Sequence, residues 1–583
     1  MLFESLERRG HGTWTLGGTS TIAGPVLISG GVLQVDGSLG STTFQVGARG
    51  TVAGRGQVVP DVDLRGTLAP GTVGGIGTLT LQGDVSFRRG SRLAIDLDPR
   101  RADRLHVQGA ARIGGGTLQA HPGSGLFRDG ASYDVLVADG GRRGRFDRVD
   151  DSGSPVLELV VRYLRDRVRA IVERLPYVSL PALTRNQTSV AAALDGVVAD
   201  GGSAASSVAG KLDFLPSDEI ARAMTALDPE PLDVYPQLAE HWTEARFDLL
   251  TRRMRDAAFG RPSVGVRILD PIQPSLEDAL ASVEVLPAVS SPAPAPPGGV
   301  GGEELELWAY GMGLFGDKGS DTDVTGYSFQ GSGAMLGFDL PLFERFRLGL
   351  AGTWQDTDVD FDRPGSKGRI RNTGLAVYGS YESGGLLFAD LALQQLWNRY
   401  DTERQIDFAG VTRHATSDHE GRVFAAQGSV GLRAAWKGFE LEPRVGVRYA
   451  SLHQEDFEEE GAGDLNLAIE DRSSDGLESF VALRLAHPFV VWEERLQIVP
   501  DLHGEWSRET LSPDRDIDAS FAGLGDASFT VLGDHRARDE WSVGLGVVAI
   551  LDERLRLELL YDYQEGRDQV RSHAVRGGLH WSF

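Results

Sequence analysis

Across the last third of the chain, apolar residues fall on every second position. In 574–583 (AVRGGLHWSF), Val575, Gly577, Leu579, Trp581 and Phe583 share one parity, and Ala574, Arg576, Gly578, His580 and Ser582 share the other. Side chains alternate between the faces of a strand, so one face here is apolar and ends in aromatic rings, while the other is small or polar. The period recurs in 554–563, where Leu555, Leu557, Leu559, Tyr561 and Tyr563 oppose Arg554, Arg556, Glu558 and Asp562. In 439–449, Phe439, Leu441, Val445, Val447 and Tyr449 oppose Glu440, Glu442, Arg444 and Arg448. Charges on a hidden face would be ruinous in a dry core. They are expected where one face touches lipid and the other lines a water-filled lumen, as in a transmembrane β-barrel.

From Glu303 onward about twelve strand-length segments follow one another. Short connections (PLFER at Pro341, ESGG at Glu382, KG at Lys437, PFVVWEE at Pro488, DE at Asp552) alternate with long polar ones. The long ones are GDKGSDTDVTG at Gly316, QDTDVDFDRPGSKGRIRN at Gln355, and the stretches 401–421, 453–476 and 508–540. This alternation predicts a 12-stranded antiparallel barrel over 303–583, short turns facing the periplasm and long loops facing outside. An even strand count puts both ends of that domain in the periplasm. Trp308, Tyr310, Trp354, Tyr378, Tyr381, Trp397, Trp506, Trp541, Tyr561, Tyr563 and Trp581 are expected as rings anchoring the barrel at the bilayer interfaces. Trp308, beside Glu306, can instead point into the lumen.

The first part of the chain has a different rhythm. Pieces such as GPVLISGGVLQVDG at Gly24, DLRGTLAPG at Asp63 and GIGTLTLQGDVSFRRGSRLAIDLD at Gly75 are short apolar-alternating runs divided by glycine turns. They suit the rungs of a right-handed parallel β-helix over 1–176, each rung burying its inner face on its neighbours. A β-sandwich is the competing reading, but few bulky residues occur per segment. The stretch 156–176 fits closing strands or an amphipathic helix, and its β-rich start favours strands. The arginines of 142–150 are expected on a solvated edge.

From Thr184 to Phe259 apolar residues recur at three- and four-residue steps, which predicts helices. Ser217, Asp218 and Glu219 mark one helix start, and Pro236 can open a helix running to about Ala258. With the proline-rich 286–302, these make a helical and Pro-rich linker over 177–302. If the chain before the barrel lies outside and the barrel begins in the periplasm, the chain must cross once more, through the lumen. The segment 237–258 could fill that lumen, since Glu240, Glu244, Arg246, Arg252 and Arg253 suit charged walls. A surface helix packed on the N-terminal domain is the alternative.

Composition narrows the function classes. The 583 residues contain no cysteine and carry a formal charge of −25, which rules out disulfides and thiolate metal sites and argues against nucleic acid. Mean hydropathy is −0.19, and no apolar run of about 18 residues offers a transmembrane helix. The opening MLFESLERRGHGTW lacks the basic start and apolar core of a secretory signal, so a truncated or misassigned start is expected.

Candidate chemistry is sparse. Asp356, Asp358, Asp360 and Asp362 resemble a calcium loop in composition but lack its glycine and terminal glutamate, and a solvated loop is expected. Asp317, Asp321 and Asp323 are read the same way. His414 and His419 lie in a polar stretch without a third ligand in view. The glycines at 54–56 and 74–77 do not open helices, so they do not cradle phosphate. No GxSxG elbow occurs, and the triplet at Asn186 is a glycosylation signal by pattern only. No catalytic, cofactor-binding or metal-binding residue is assigned, no cofactor is expected, and the chain is not expected to be an enzyme.

The order of β-helix, helical linker and barrel ending in an aromatic resembles an autotransporter (type Va secretion). WAYGMGLFGDKGSDTDVTGYSFQGSGAMLGFD at Trp308 is similar to the start of its translocator, and HWSF at His580 to its terminal assembly signal. RGTLAPG at Arg65 and YDVLVADGG at Tyr133 are similar to the end of its passenger, including the part called the autochaperone. TRNQTSVAAALD at Thr184 resembles the helical stretch before the translocator. The resemblance implies a monomer that exports and displays its own N-terminal passenger at the surface of a Gram-negative bacterium. Outer-membrane lipid, the outer-membrane insertion machinery and periplasmic chaperones would be its partners, and Trp581 and Phe583 its assembly signal. No Asn-Asn pair occurs in 237–258, so the passenger is expected to stay attached. The alternatives are a surface adhesin whose β-helix binds host or cell-surface ligands, and the remnant of a surface hydrolase whose catalytic part is absent.

Overall fold

The computed structural model describes residues 4–72, 75–151, 153–201, 203–256, 264–268, 283–285 and 305–582, except 344, 384–385, 493–495, 512–514, 525–526, 535–537, 552–554 and 567–569. The chain divides into two compact units. One is Met1–Leu183 with Gln187–Ala226 and Phe408–Val411; the other is Thr184–Asn186, Leu227–Asp407 and Thr412–Phe583.

The first unit is built from parallel strands stacked in register. The rung Thr78–Leu81, Val85–Phe87, Arg92–Leu97 lies on the rung Arg104–Val107, Ala111–Ile113, Thr117–Pro122, with Leu79 on Leu105, Phe87 on Ile113 and Leu93 on Leu118. Alternate residues point inward, so these ladders form one continuous apolar core. A sandwich would pair its strands antiparallel, and parallel stacking is the arrangement of the β-helix. Turns are tied from rung to rung: Asp61 Oδ1 accepts the Asp84 amide and Asp84 Oδ1 the Ala110 amide, both at 2.7 Å. Gly144 has a φ of 85°, and a Cβ there would lie 1.8 Å from the Ile113 carbonyl oxygen, so this corner requires glycine. Leu157–Tyr163 and Arg167–Arg174 close the stack as an antiparallel pair, as the β-rich pattern predicts.

Three helices follow: α1 (Arg185–Asp200), α2 (Ser203–Leu212) and α3 (Ser217–Leu227). Asp213, just past α2, is buried and accepts from Arg174 Nη2 and the Tyr177 hydroxyl, both at 2.6 Å. Tyr177 also donates its amide to Asp195 of α1 at 2.8 Å.

The second unit is a closed antiparallel barrel of twelve strands. They are β1 (Glu306–Lys318), β2 (Tyr327–Phe343), β3 (Phe346–Phe361), β4 (Lys367–Ser383), β5 (Leu387–Phe408), β6 (Val411–Leu432), β7 (Phe439–Gln454), β8 (Arg472–Ala486), β9 (Leu496–Leu511), β10 (Asp539–Leu551), β11 (Leu555–Glu565) and β12 (Arg571–Ser582). Pairing of β1 with β12, from Glu306–Ser582 to Asp317–Arg571, closes the cylinder. Parity decides the faces: Val575, Leu579 and Trp581 point out, whereas Arg576 and His580 are buried inside.

The sequence pattern underestimates strand length. The segments 355–372 and 401–421, expected as loops, are mostly strand, and their turns are only 362–366 and Ala409–Gly410. At 22 residues each, β5 and β6 extend about 70 Å, well beyond a bilayer. On β5 the outward residues Leu387, Leu391, Leu393 and Trp397 are apolar, and Arg399, Asp401 and Glu403 follow. Lipid contact ends at Trp397, and the strand continues in water. Trp354 and Trp397 lie level, both in register with Thr373, and Trp506 sits opposite Trp541. Those rings mark one interface. Trp308, Tyr310 and Tyr378 are not girdle residues: all three are buried on the luminal face, where Trp308 Nε1 donates to the Tyr378 hydroxyl at 2.7 Å.

The stretches 453–476 and 508–540 also hold more structure than loops. Phe457–Glu458, Leu467–Ile469, Ile517–Phe521 and Ser528–Val531 form a small antiparallel sheet, with Leu467, Ile469, Phe521 and Val531 buried. In the linker, Val264–Ile268 and Val283–Val285 pair antiparallel. The proline-rich 286–302 lies outside the described residues.

Candidate functional site

A single helix, α4 (Val234–Asp256), runs through the barrel lumen. It begins two residues before the proline expected to open it, following a 3-10 turn at Glu230–Asp233. Its N-terminal end lies among the long connections and its C-terminal end among the short turns. Almost every residue is buried although the helix is rich in charge, because its neighbours are the polar faces of the strands. Arg252 donates to Asp501 of β9 and Glu558 of β11; Arg253 donates to Glu306 of β1 and to Asp339 of β2 at 2.9 Å. Arg255 reaches Asp390 of β5 at 2.5 Å and Ser380 of β4. Higher up, Trp242 Nε1 donates to Thr357 of β3 at 3.0 Å, and Arg246 to Gln355 at 2.7 Å and Gln394 at 3.1 Å. Asp248 faces Arg448 of β7 at 3.6 Å, and Thr251 accepts from Gln427 of β6 at 2.9 Å. The helix is therefore held from all sides. A buried ion pair is no large source of stability, but removing one partner strands the other in a poorly solvated place.

At the long-loop end the entry to α4 is clasped by the loops. Arg363 donates to the Asp228 carbonyl at 3.2 Å and Arg472 to the Leu232 carbonyl at 2.8 Å. Asp233 accepts from Arg515 at 3.2 Å and the Asp534 amide at 3.0 Å, and Lys318 pairs with Asp534. The Thr325 amide donates to Glu230 at 2.9 Å. Burial, with Asp228 alongside, pushes the Glu230 carboxyl up to about 8, and burial lifts Asp228 to about 6. A carboxyl raised in the folded state stabilises it while protonated. That contribution is complete below about pH 4.5 for Glu230 and is lost as pH rises through 8. Amide protection at 228–233, corrected for intrinsic exchange, should fall between pH 5.5 and pH 8.5, and Glu230→Gln should flatten the profile. A wild-type profile independent of pH would refute this.

Comparison with known proteins assigns this architecture. Residues 307–562 match the family model described as autotransporter beta-domain. The chain carries an autotransporter β-domain. It is 25% identical over 643 residues to an extracellular serine protease of Serratia marcescens, covering 99% of this chain and 56% of the relative. It is 22% identical over 267 residues to outer membrane protein A of Rickettsia rickettsii, covering 42% of this chain and 12% of the relative. The chain thus spans just over half the length of the first of these relatives. Among solved structures it is similar to the translocator domain of the autotransporter NalP from Neisseria meningitidis, with a TM-score of 0.41, 15% identity, and coverage of 59% of this chain and 98% of that one. The barrel belongs in the outer membrane of a Gram-negative bacterium.

The β-domain also places the residues singled out in the sequence. Asp356, Asp358 and Asp360 lie on β3, not in a loop, and face cations on the next strand: Arg369 reaches Asp356 and lies 3.8 Å from Asp358, while Lys367 lies 3.8 Å from Asp360. Asp401 pairs with Arg371 at 2.5 Å and Asp418 with Arg399, so the acidic run belongs to a charge ladder above the lipid. His414 and His419 are on β6, five positions apart and on opposite faces; His419 stacks on Phe457 at 3.8 Å. Asn186 is buried, its amide paired with both backbone groups of Leu532 at 3.0 Å, which leaves no room for a glycan. Trp581 is 51% exposed on the outer face of β12; Phe583 lies outside the described residues. Of the luminal anchors, Arg246, Arg252 and Arg253 are legible from the sequence. Trp242, Asp248, Thr251 and Arg255 are missed, although Asp248, Thr251, Arg252 and Arg255 fall at helical spacing on neighbouring turns.

Proposed function

We propose that the chain exports its own β-helix across the outer membrane and displays it, with 1–176 as passenger, 177–302 as linker and 303–583 as translocator. The observation that carries this is the path of α4. It enters the lumen at the long-loop end and ends at the short-turn end, where β1 also begins, so the preceding chain leaves the barrel on the long-loop side. The helix is then the last exported segment, retained as a plug, and the passenger stays attached through it. The outer-membrane insertion machinery, periplasmic chaperones and a monomeric barrel belong to this reading, as does an assembly role for Trp581 and Phe583. Protease added to intact cells should remove 1–176 and leave a heat-modifiable membrane fragment containing α4 and 303–583. Cleavage at the short turns on intact cells would reverse the orientation and overturn the proposal.

A second reading is favoured by the relative's name. A chain similar to an extracellular serine protease over 56% of that protein's length could be the translocating portion of a surface hydrolase. We do not infer catalysis by the β-helix itself. Its buried positions are filled by stacked Val, Leu, Ile and Phe side chains.

A further inference from the structure

The upper part of the lumen brings together three side chains that carry metal-binding donor atoms. His241 and Glu244 stand three residues apart on α4 and therefore on one face of it. Glu540, at the start of β10, meets them from the wall. One ligand atom from each lies within 4.8 Å of the others, and all three residues are buried. The nitrogen of a single amide sits between the two carboxylates: Gln564 Nε2 donates to Glu244 Oε2 at 2.8 Å and also to Glu540. A neutral amide orients the two acids but cancels none of their charge. Two arginines stand nearby, and Glu244 lies in the field of one of them, Arg448. Arg448 pairs with Glu505 at 2.5 Å, and Arg576 pairs with Asp562 and donates to the Ala245 carbonyl at 3.0 Å.

We propose that His241, Glu244 and Glu540 bind a divalent transition-metal cation of the zinc class, pinning the luminal helix to the barrel wall. One imidazole with two carboxylates is a donor set that suits zinc, whereas sites for magnesium or calcium use oxygen alone. A helical pair three residues apart, completed from a facing element, is a common way to build such a site. Zinc bonds of about 2.0–2.2 Å place tetrahedral ligands roughly 3.3 Å apart, so side-chain rotations closing the group by about 1.5 Å at most would suffice. Gln564 would hold an outer oxygen of each carboxylate, as partners beyond the ligands commonly do. A polar cavity of about 20 Å³, lined by Glu244, Glu540 and Gln564 and also by Arg448 and Arg576, adjoins the group and has room for one water as the fourth ligand. The neutral imidazole, two carboxylates and a dication sum to zero charge, which favours the site in a confined lumen.

The full chain, purified in detergent and stripped with EDTA, should bind one Zn²⁺ by calorimetry and show no heat with Mg²⁺. Zinc should also raise the temperature at which the compact, heat-modifiable form is lost. His241→Gln and Glu540→Gln should each weaken zinc binding by at least about 100-fold, since losing even a partner beyond the ligands costs about 10–100-fold, and abolish the thermal shift. Retention of heat-modifiable mobility in either variant shows that it has folded. A folded wild-type chain that binds no stoichiometric zinc would overturn the proposal, as would binding unchanged in a folded variant. Anomalous diffraction at the zinc edge placing the ion away from His241 would do the same.

Discussion

Replacing Arg252 by leucine should loosen the luminal helix more than any other single change on α4. The guanidinium bridges Asp501 and Glu558, both fully buried, on two different strands. Without it two carboxylates lose a shared cation in a place where water cannot fully replace it. Breaking a buried pair by removing one partner typically costs about 3–5 kcal/mol. The loss here should fall toward the lower figure, because His503 also donates to Asp501 at 2.9 Å and Tyr310 to Glu558 at 2.5 Å. The barrel itself is held by backbone ladders that the substitution does not touch. The expected result is therefore a folded barrel whose plug is intermittently displaced. Planar-bilayer recordings should show larger and more frequent openings than wild type, and cells should become more sensitive to bulky antibiotics. Arg252→Lys keeps the charge but not the planar fork that spans two carboxylates, so it should fall between the two. Conductance and antibiotic sensitivity equal to wild type in Arg252→Leu would show that this bridge does not hold the plug.

How far the sequence discloses this arrangement depends on what each residue's neighbours are. The period-two pattern of β11 and β12 is strong because lipid lies on one side and water on the other. It reverses at Asp356, Asp358 and Asp360 because β3 has by then left the bilayer: charge now faces outward, and Thr357 and Val359 face inward. A strand whose outward residues, such as Asp356 paired with Arg369, are charged lacks the lipid-facing stripe by which the other strands are recognised, so it reads as a loop. Tyr378 is a different kind of miss. It has the opposite parity to Val377 and Tyr381, so the three cannot all face lipid, and strict alternation would have placed it inside. The helix α4 is visible as a helix, yet its place in the lumen is not written locally. Arg252 finds Asp501 and Glu558 hundreds of residues downstream, and nothing in its own turn names them. The group of His241, Glu244 and Glu540 is hidden for the same reason, since one of its members comes from the far side of the sequence.

Changing Phe583 to aspartate should separate two explanations for an aromatic last residue. Strand β12 pairs with both β11 and β1, so the cylinder cannot close until the end of the chain is in place. Val575, Leu579 and Trp581 point outward, and Phe583 continues their parity in the sequence, which is the pattern expected of a ring at the short-turn interface. If the ring acted only as an anchor in the bilayer, an acid there would cost about 1 kcal/mol or less, because the penalty for charge on the lipid face is small near the interface. That is a factor of about 5 in equilibrium terms and would leave outer-membrane levels only slightly reduced. If the ring is instead read by the insertion machinery before the barrel closes, the loss should be much larger. Heat-modifiable protein in the outer membrane should then fall by well over that factor, while the β-helix, whose core shares no residue with β12, still yields its protease-resistant fragment. We expect the second outcome, and Trp581→Asp should reproduce part of it. Outer-membrane levels near wild type for Phe583→Asp would remove the terminal ring from the assembly signal and leave closure to the pairing of β12 alone.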